Sequence, residues 1–175
     1  MTIGNVGGVS PTTNAFKSRQ VSDTKQDGGR KTVDDVLTSL REMMPGWTIS
    51  TSTADWGEGC RNIQIDREIL QEMGDDPKAM EKYSNMIRGF EDTVPALEQW
   101  EKDYPGQSIE LGISMDSKGN VTALAAIKTL MGIEKSTTFG LPSDQASWAG
   151  IIREKLDALS NGQVEDAYGS KSWIA

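Results

Sequence analysis

The chain has 175 residues, a formal charge of −8 at pH 7, one cysteine and no histidine. Without imidazole it lacks the usual proton shuttle near neutral pH and the commonest metal ligand, and one cysteine excludes a thiolate zinc site and an internal disulfide. The negative charge and a pI near 4.6 argue against nonspecific binding to nucleic acid or an anionic membrane, where affinity rests on clustered lysine and arginine.

Residues 1–31 are polar and mildly basic. Lys17, Arg19, Lys25, Arg30 and Lys31 stand against Asp23 and Asp27, a net of +3 that leaves −11 for the rest of the chain. Phe16 is the one aromatic residue there, and no apolar period develops, so this stretch is expected to be a disordered arm. It has neither the basic start nor the apolar middle of a secretory signal, and no stretch of the chain approaches the roughly 20 apolar residues of a membrane span. The expectation is a single domain over 32–160 and a loose C-terminal tail over 161–175.

At Thr32 the pattern changes. Thr32 followed by Asp34 and Asp35 is an N-cap with acids where the helix dipole favours them, and Val33, Val36, Leu37, Leu40 and Met44 keep helical spacing up to Pro45-Gly46. Trp47, Ile49 and Thr51 then alternate with polar residues as a first strand. Residues 54–60, with two glycines and no period, read as a loop or hairpin connection, and Ile63 and Ile65 mark a short second strand. Asp66 caps a helix with Ile69, Leu70 and Met73 on its buried side, and Asp76-Pro77 starts the next.

From Met80 to Trp100 apolar residues recur at spacings of three and four. Pro95 should split this long stripe near Asp92, with Thr93 capping the second half. Ile109, Leu111, Ile113 and Met115 alternate strictly, Asp116 to Asn120 supply a turn, and Val121 to Lys128 resume strand composition as a β-hairpin. Thr129 to Leu141 shows no clean period and is expected to be irregular. Pro142 and Ser143 introduce a last helix carrying Trp148, Ile152, Leu156 and Leu159. Pro-Gly occurs twice between a helix and a strand, at 45–46 and 105–106, a shared turn device rather than a duplication. The order of elements suits an α+β fold: a mostly antiparallel sheet of about four strands with helices packed on one face.

Few residues carry chemistry. Cys60 stands beside Arg61, which could favour a thiolate, but no histidine is present to act as its base, so an incidental role is expected. Asp55 and Glu58 beside Trp56 form the carboxylate pair closest to a sugar-site composition, although sequence separation does not set the carboxyl distance that glycoside chemistry needs. Asp66, Asp75 and Asp76 fit helix caps better than metal ligands. Asp116 to Asn120 lacks the bidentate acid of a calcium loop, and the glycines at 4, 7 and 8 neither follow a strand nor open a helix. No cofactor and no catalytic or metal site is expected.

The run Asn62-Ile63-Gln64-Ile65-Asp66-Arg67-Glu68-Ile69-Leu70-Gln71-Glu72-Met73, continued by Gly74-Asp75-Asp76-Pro77-Lys78-Ala79-Met80-Glu81-Lys82-Tyr83, resembles a family of uncharacterised bacterial proteins found mainly in Firmicutes. Their pattern is an I-x-I strand, a helix, M-x-x-D-P, a second helix and a hairpin, and the likeness spans residues 32–128. It implies a soluble bacterial protein and transfers no catalytic residue. Trp148 to Ala175 departs from the highly charged C-terminal helix that the resemblance leads one to expect.

These readings point to a noncatalytic, cytoplasmic interaction domain with a protein partner and no nucleic acid or membrane ligand. Trp56 and Trp173, outside the core periodicity, are the candidate interaction residues, because tryptophan is enriched at binding hot spots. Two alternatives stand beside it. One is a substrate of a signal-peptide-independent export system addressed by the arm, and the other a carboxylate-dependent hydrolase at the Trp56 loop.

Overall fold

The computed structural model describes residues 29–163, so nearly all of the expected arm and tail, Trp173 included, lies outside the described residues. Helix α1 (Val33–Met43) opens with a capping box: Thr32 Oγ1 accepts from Asp35 N at 3.2 Å, and Asp35 Oδ2 accepts from Thr32 N at 2.9 Å. Strand β1 (Thr48–Ser50) follows, then a short turn over Thr53–Asp55 and strand β2 (Asn62–Ile65). Asp66 Oδ1 caps α2 (Arg67–Asp75) by accepting from Glu68 N at 2.8 Å, and Asp76 Oδ1 caps α3 (Pro77–Arg88) by accepting from Lys78 N at 2.9 Å.

The long stripe divides at a single 3₁₀ turn, Glu91–Thr93, and resumes as α4 (Val94–Asp103) with Pro95 in its first turn, where a missing N–H costs nothing. Thr93 does not cap it. Its hydroxyl donates backwards to Phe90 O at 2.6 Å, because the backbone before Pro95 stays in the right-handed helical region and offers no extended N-cap geometry.

Strands β3 (Ser108–Met115) and β4 (Val121–Thr129) form the expected hairpin. The next stretch corrects the expectation of irregular structure, since Gly132–Leu141 is a ten-residue strand, β5, paired antiparallel with β4. A bulge between Ile127 and Lys128 shifts its register, so that Lys135, Thr137, Phe139 and Leu141 oppose Ile127, Ala125, Ala123 and Val121. Two of those four inward positions are not apolar, which erases the period that would mark a strand. Helix α5 (Trp148–Ser160) closes the fold.

The sheet runs in the order β1-β2-β3-β4-β5. It is mixed rather than mostly antiparallel and has five strands rather than about four: β1 with β2 and β2 with β3 are parallel, and the remaining pairs are antiparallel. The β2–β3 crossover uses α2, α3 and α4, as parallel neighbours require. The β1–β2 crossover has only the loop over 51–61, which suffices because both strands are short. That brevity is what made the pair look like a hairpin in the sequence.

Register places Ile49, Ile63, Ile65, Ile113 and Met115 on one face, and these join the helix stripes in one buried cluster with Trp100, Trp148 and Phe90. Each such side chain contributes on the order of 1.5–3 kcal/mol by burial. Phe90 stacks on Trp148 with centroids 4.5 Å apart. Trp100 stacks on Tyr104 at 4.3 Å, and both donate to Asp157 Oδ1 on α5, at 2.9 Å and 3.2 Å.

The two Pro-Gly pairs adopt the same geometry. Met44 and Tyr104 end their helices at φ −126° and −122°, Gly46 and Gly106 take φ of 88° and 86°, and Trp47 N and Gln107 N each donate back across the turn at 3.2 Å. A left-handed glycine after proline turns each helix into a strand of the parallel half of the sheet.

Candidate functional site

The loop over 51–61 returns across the sheet face opposite the helices. Asn62, buried at the start of β2, fixes it from below: its Oδ1 accepts from Gly57 N at 2.8 Å, and its Nδ2 donates to Gly57 O at 2.9 Å and Gly59 O at 3.2 Å. Leu111 N donates to Gly59 O at 3.1 Å, tying the loop to β3. Trp56 is half-buried rather than displayed to solvent. Its ring lies over Gly112, where an added Cβ would come under 3.0 Å from the indole, so only glycine admits it.

Where this loop meets the start of β3 and the last turns of α4, a cleft of about 520 Å³ opens. Leu97, Val94 and Ile109 give it an apolar side, and Glu58, Glu98, Glu101 and Glu110 surround that side with carboxylates, against Arg61 and Lys128. Lys128 Nζ bridges two of them, 3.2 Å from Glu58 Oε1 and 3.1 Å from Glu110 Oε1. Both acids and the hydrogen bonds they make raise the Lys128 pKa above its ordinary value. Glu101 Oε1 accepts from Ile109 N at 2.8 Å.

Cys60 sits in this cleft with its thiol donating to Ile109 O at 3.3 Å. Burial first, and then the carboxylate of Glu101, push the thiol up to about 12, with Arg61 pulling the other way and Glu110 and Glu98 adding smaller upward contributions. Such a thiol stays protonated near neutral pH and is a poor nucleophile. Glu58 points to Lys128 and lines the cleft. Asp55 lies exposed in the 3₁₀ turn and is not among the residues lining the cleft, so the two acids do not share one concave site. Among the described residues no group of three His, Cys, Asp or Glu stands close enough together to hold a metal ion.

Sequence reasoning missed the β4–β5 tip. Thr129 pairs with Gly132, so Leu130 and Met131 form a two-residue loop, steadied by Met131 N donating to Thr129 Oγ1 at 3.2 Å. Leu130 is 102 % exposed, Met131 92 % and the adjoining Ile133 40 %. Gly132, at φ 113°, supplies the left-handed residue that closes the turn, so positions 130 and 131 need no glycine or asparagine, and neither Leu130 nor Met131 is buried. The signal lay in the sequence as Leu130-Met131-Gly132, but it carries weight only once Thr129–Leu141 is known to be a hairpin arm.

No helix among the described residues is long and apolar enough to cross a membrane. No curated protein and no solved structure gave a match. A family profile described as protein of unknown function (DUF6033) matches residues 52–139, from the Trp56 loop into β5. That match begins and ends further along the chain than the likeness over 32–128 drawn from the sequence, and it takes in the loop, the cleft-forming part of α4 and the exposed tip. On that match, which covers half of its residues, the chain belongs to the DUF6033 family of proteins of unknown function.

Proposed function

We propose that the protein is a noncatalytic interaction domain of the bacterial cytoplasm, which meets a protein partner through the tip of the β4–β5 hairpin. The observation that carries this reading is the exposure of Leu130 and Met131 on an ordered two-residue turn. Exposed apolar side chains side by side lose hydration when a partner covers them, and methionine adapts to irregular partner surfaces. Neither side chain packs inside the fold, so their apolar character adds nothing to its stability. An anionic bilayer is a poorer match, because the −11 carried by residues 32–175 opposes approach to it. The reading as an export substrate rests on residues 1–31, which lie mostly outside the described residues.

The test is affinity co-purification from the native bacterium with the tagged full-length chain and its Leu130→Ser/Met131→Ser variant. Partner recovery should fall with the double substitution while the melting temperature stays unchanged, since neither side chain is packed in the fold. Equal recovery of the same partner by both forms would contradict the assignment.

A further inference from the structure

We infer that Met131 is a reversible oxidation site, at which a peroxide converts the thioether to a sulfoxide and turns the β4–β5 tip from apolar to polar. Met131 is 92 % exposed, whereas Met44, Met73 and Met115 are buried in the core and Met43, Met80 and Met86 pack half-buried against it. Oxidation of methionine follows exposure. Cysteine is the usual first target of a peroxide, because its thiolate is the better nucleophile, but Cys60 is partly buried and stays protonated near neutral pH. Met131 is thus the accessible reactive sulfur among the described residues.

The chemistry is a two-electron oxygen transfer. The sulfur lone pair attacks one peroxide oxygen and forms the S–O bond as the O–O bond breaks; the proton on the transferred oxygen passes to the departing hydroxide, which leaves as water. Sulfur is oxidised and the peroxide reduced. Position decides what this does. The turn is held by Met131 N donating to Thr129 Oγ1 at 3.2 Å and not by the thioether, so an oxygen on the sulfur changes the surface and leaves the hairpin in place. Beside Leu130 the sulfoxide is polar and accepts hydrogen bonds, and covering it with an apolar partner surface costs the hydration of that group. The oxidation site is independent of the proposed partner, and its consequence for binding rests on that reading.

The test treats the full-length chain and its Met131→Leu variant with hydrogen peroxide under native conditions and follows each methionine by peptide mass spectrometry. The peptide holding Met131 should gain one oxygen before those holding the other methionines of residues 29–163, retention on a phenyl hydrophobic-interaction column should fall, and the melting temperature should stay unchanged. The two methionine sulfoxide reductases, one for each sulfur epimer, should restore mass and retention in the presence of a dithiol, and Met131→Leu should keep its retention throughout. Partner recovery by the full-length chain should fall on oxidation and return on reduction. Earlier oxidation of another of these methionines or of Cys60, or retention that does not fall or is not restored, would overturn the site. Partner recovery unmoved by an oxygen on Met131 would overturn its effect on binding. Recovery of no partner by the untreated chain would contradict the tip as a protein-binding surface, and mass and retention would still decide the oxidation site.

Discussion

The indole of Trp56 lies so close to the backbone of Gly112 that no other residue can occupy position 112 without moving it. This contact joins the β1–β2 crossover loop to the central strand of the sheet. Gly112→Ala should therefore expel the ring, destabilising the protein by about 1–3 kcal/mol as overpacking does. Urea unfolding gives the energy, and a red shift of tryptophan emission relative to the wild type reports the released indole. Unchanged stability and emission would mean that the loop does not rest on the sheet.

The pairing of Trp100 with Asp157 makes a second prediction. Asp157 is the shared acceptor for Trp100 Nε1 and the Tyr104 hydroxyl, and it joins α4 to α5. Asp157→Ala leaves a buried indole N–H without a partner and should cost about 1–3 kcal/mol, whereas Asp157→Asn keeps an acceptor and should recover most of that loss. Chemical denaturation of the two variants distinguishes the hydrogen bond from general packing.

The pH dependence has a definite sign. Hydrogen bonds from Thr32 lower the Asp35 pKa, the Asp103 pKa is lowered by Arg153 and then Gln99, and bonds from Asn120 and Lys118 lower that of Asp116. All three are carboxylates held below their ordinary value, so the stability they add is complete above the unfolded aspartate pKa of about 3.9 and disappears as pH falls through the lower folded values. Urea midpoints should hold steady at mildly acidic pH and drop once pH passes below about 3.9. Asp116→Asn, which keeps the turn but removes the charge, should flatten part of that drop.

Cys60 should resist thiol reagents. With its thiol pushed up to about 12, labelling near pH 8 should be slower than that of a free cysteine by at least about a hundredfold, through thiolate fraction alone. Unfolding in urea should restore the free rate, and Glu101→Gln should increase the native rate by removing the larger of the carboxylate contributions. Rapid labelling of the native protein would contradict the burial, and after it the Glu101 carboxylate, that hold the thiol protonated.

Local signals in the sequence were strong where side chain and backbone agree. Thr32, Asp66 and Asp76 cap the helices they precede, Ile109 to Met115 alternate as a strand, and each Pro-Gly pair turns a helix into the sheet. The direction of β1 and β2 was not legible, because short strands joined by a short loop look alike whether that loop reverses the chain or crosses the sheet. Strand β5 was hidden by Lys135 and Thr137 at inward positions. Lys135 serves there by donating to Ser160 O at 3.1 Å, at the C-terminal end of α5 where a cation is favoured, a reason visible only in three dimensions. The cleft was illegible for a similar cause: Glu58, Glu101, Glu110 and Lys128 are far apart in sequence and meet only because β3 begins beside the loop and α4. Trp56, a contact candidate from the sequence, is half-buried with its ring against Gly112, and the exposed large apolar groups among the described residues are Leu130, Met131 and Ile133.

The most direct test of the interaction surface is site-specific photo-crosslinking in the native cell, with a photoreactive amino acid in place of Leu130 and, as a control, in place of the exposed Gln99 on α4. A partner contacting the hairpin tip should give one discrete adduct from position 130 that is absent from position 99. No discrete adduct at position 130, or the same adducts from both positions, would contradict the assignment of the tip as the binding surface.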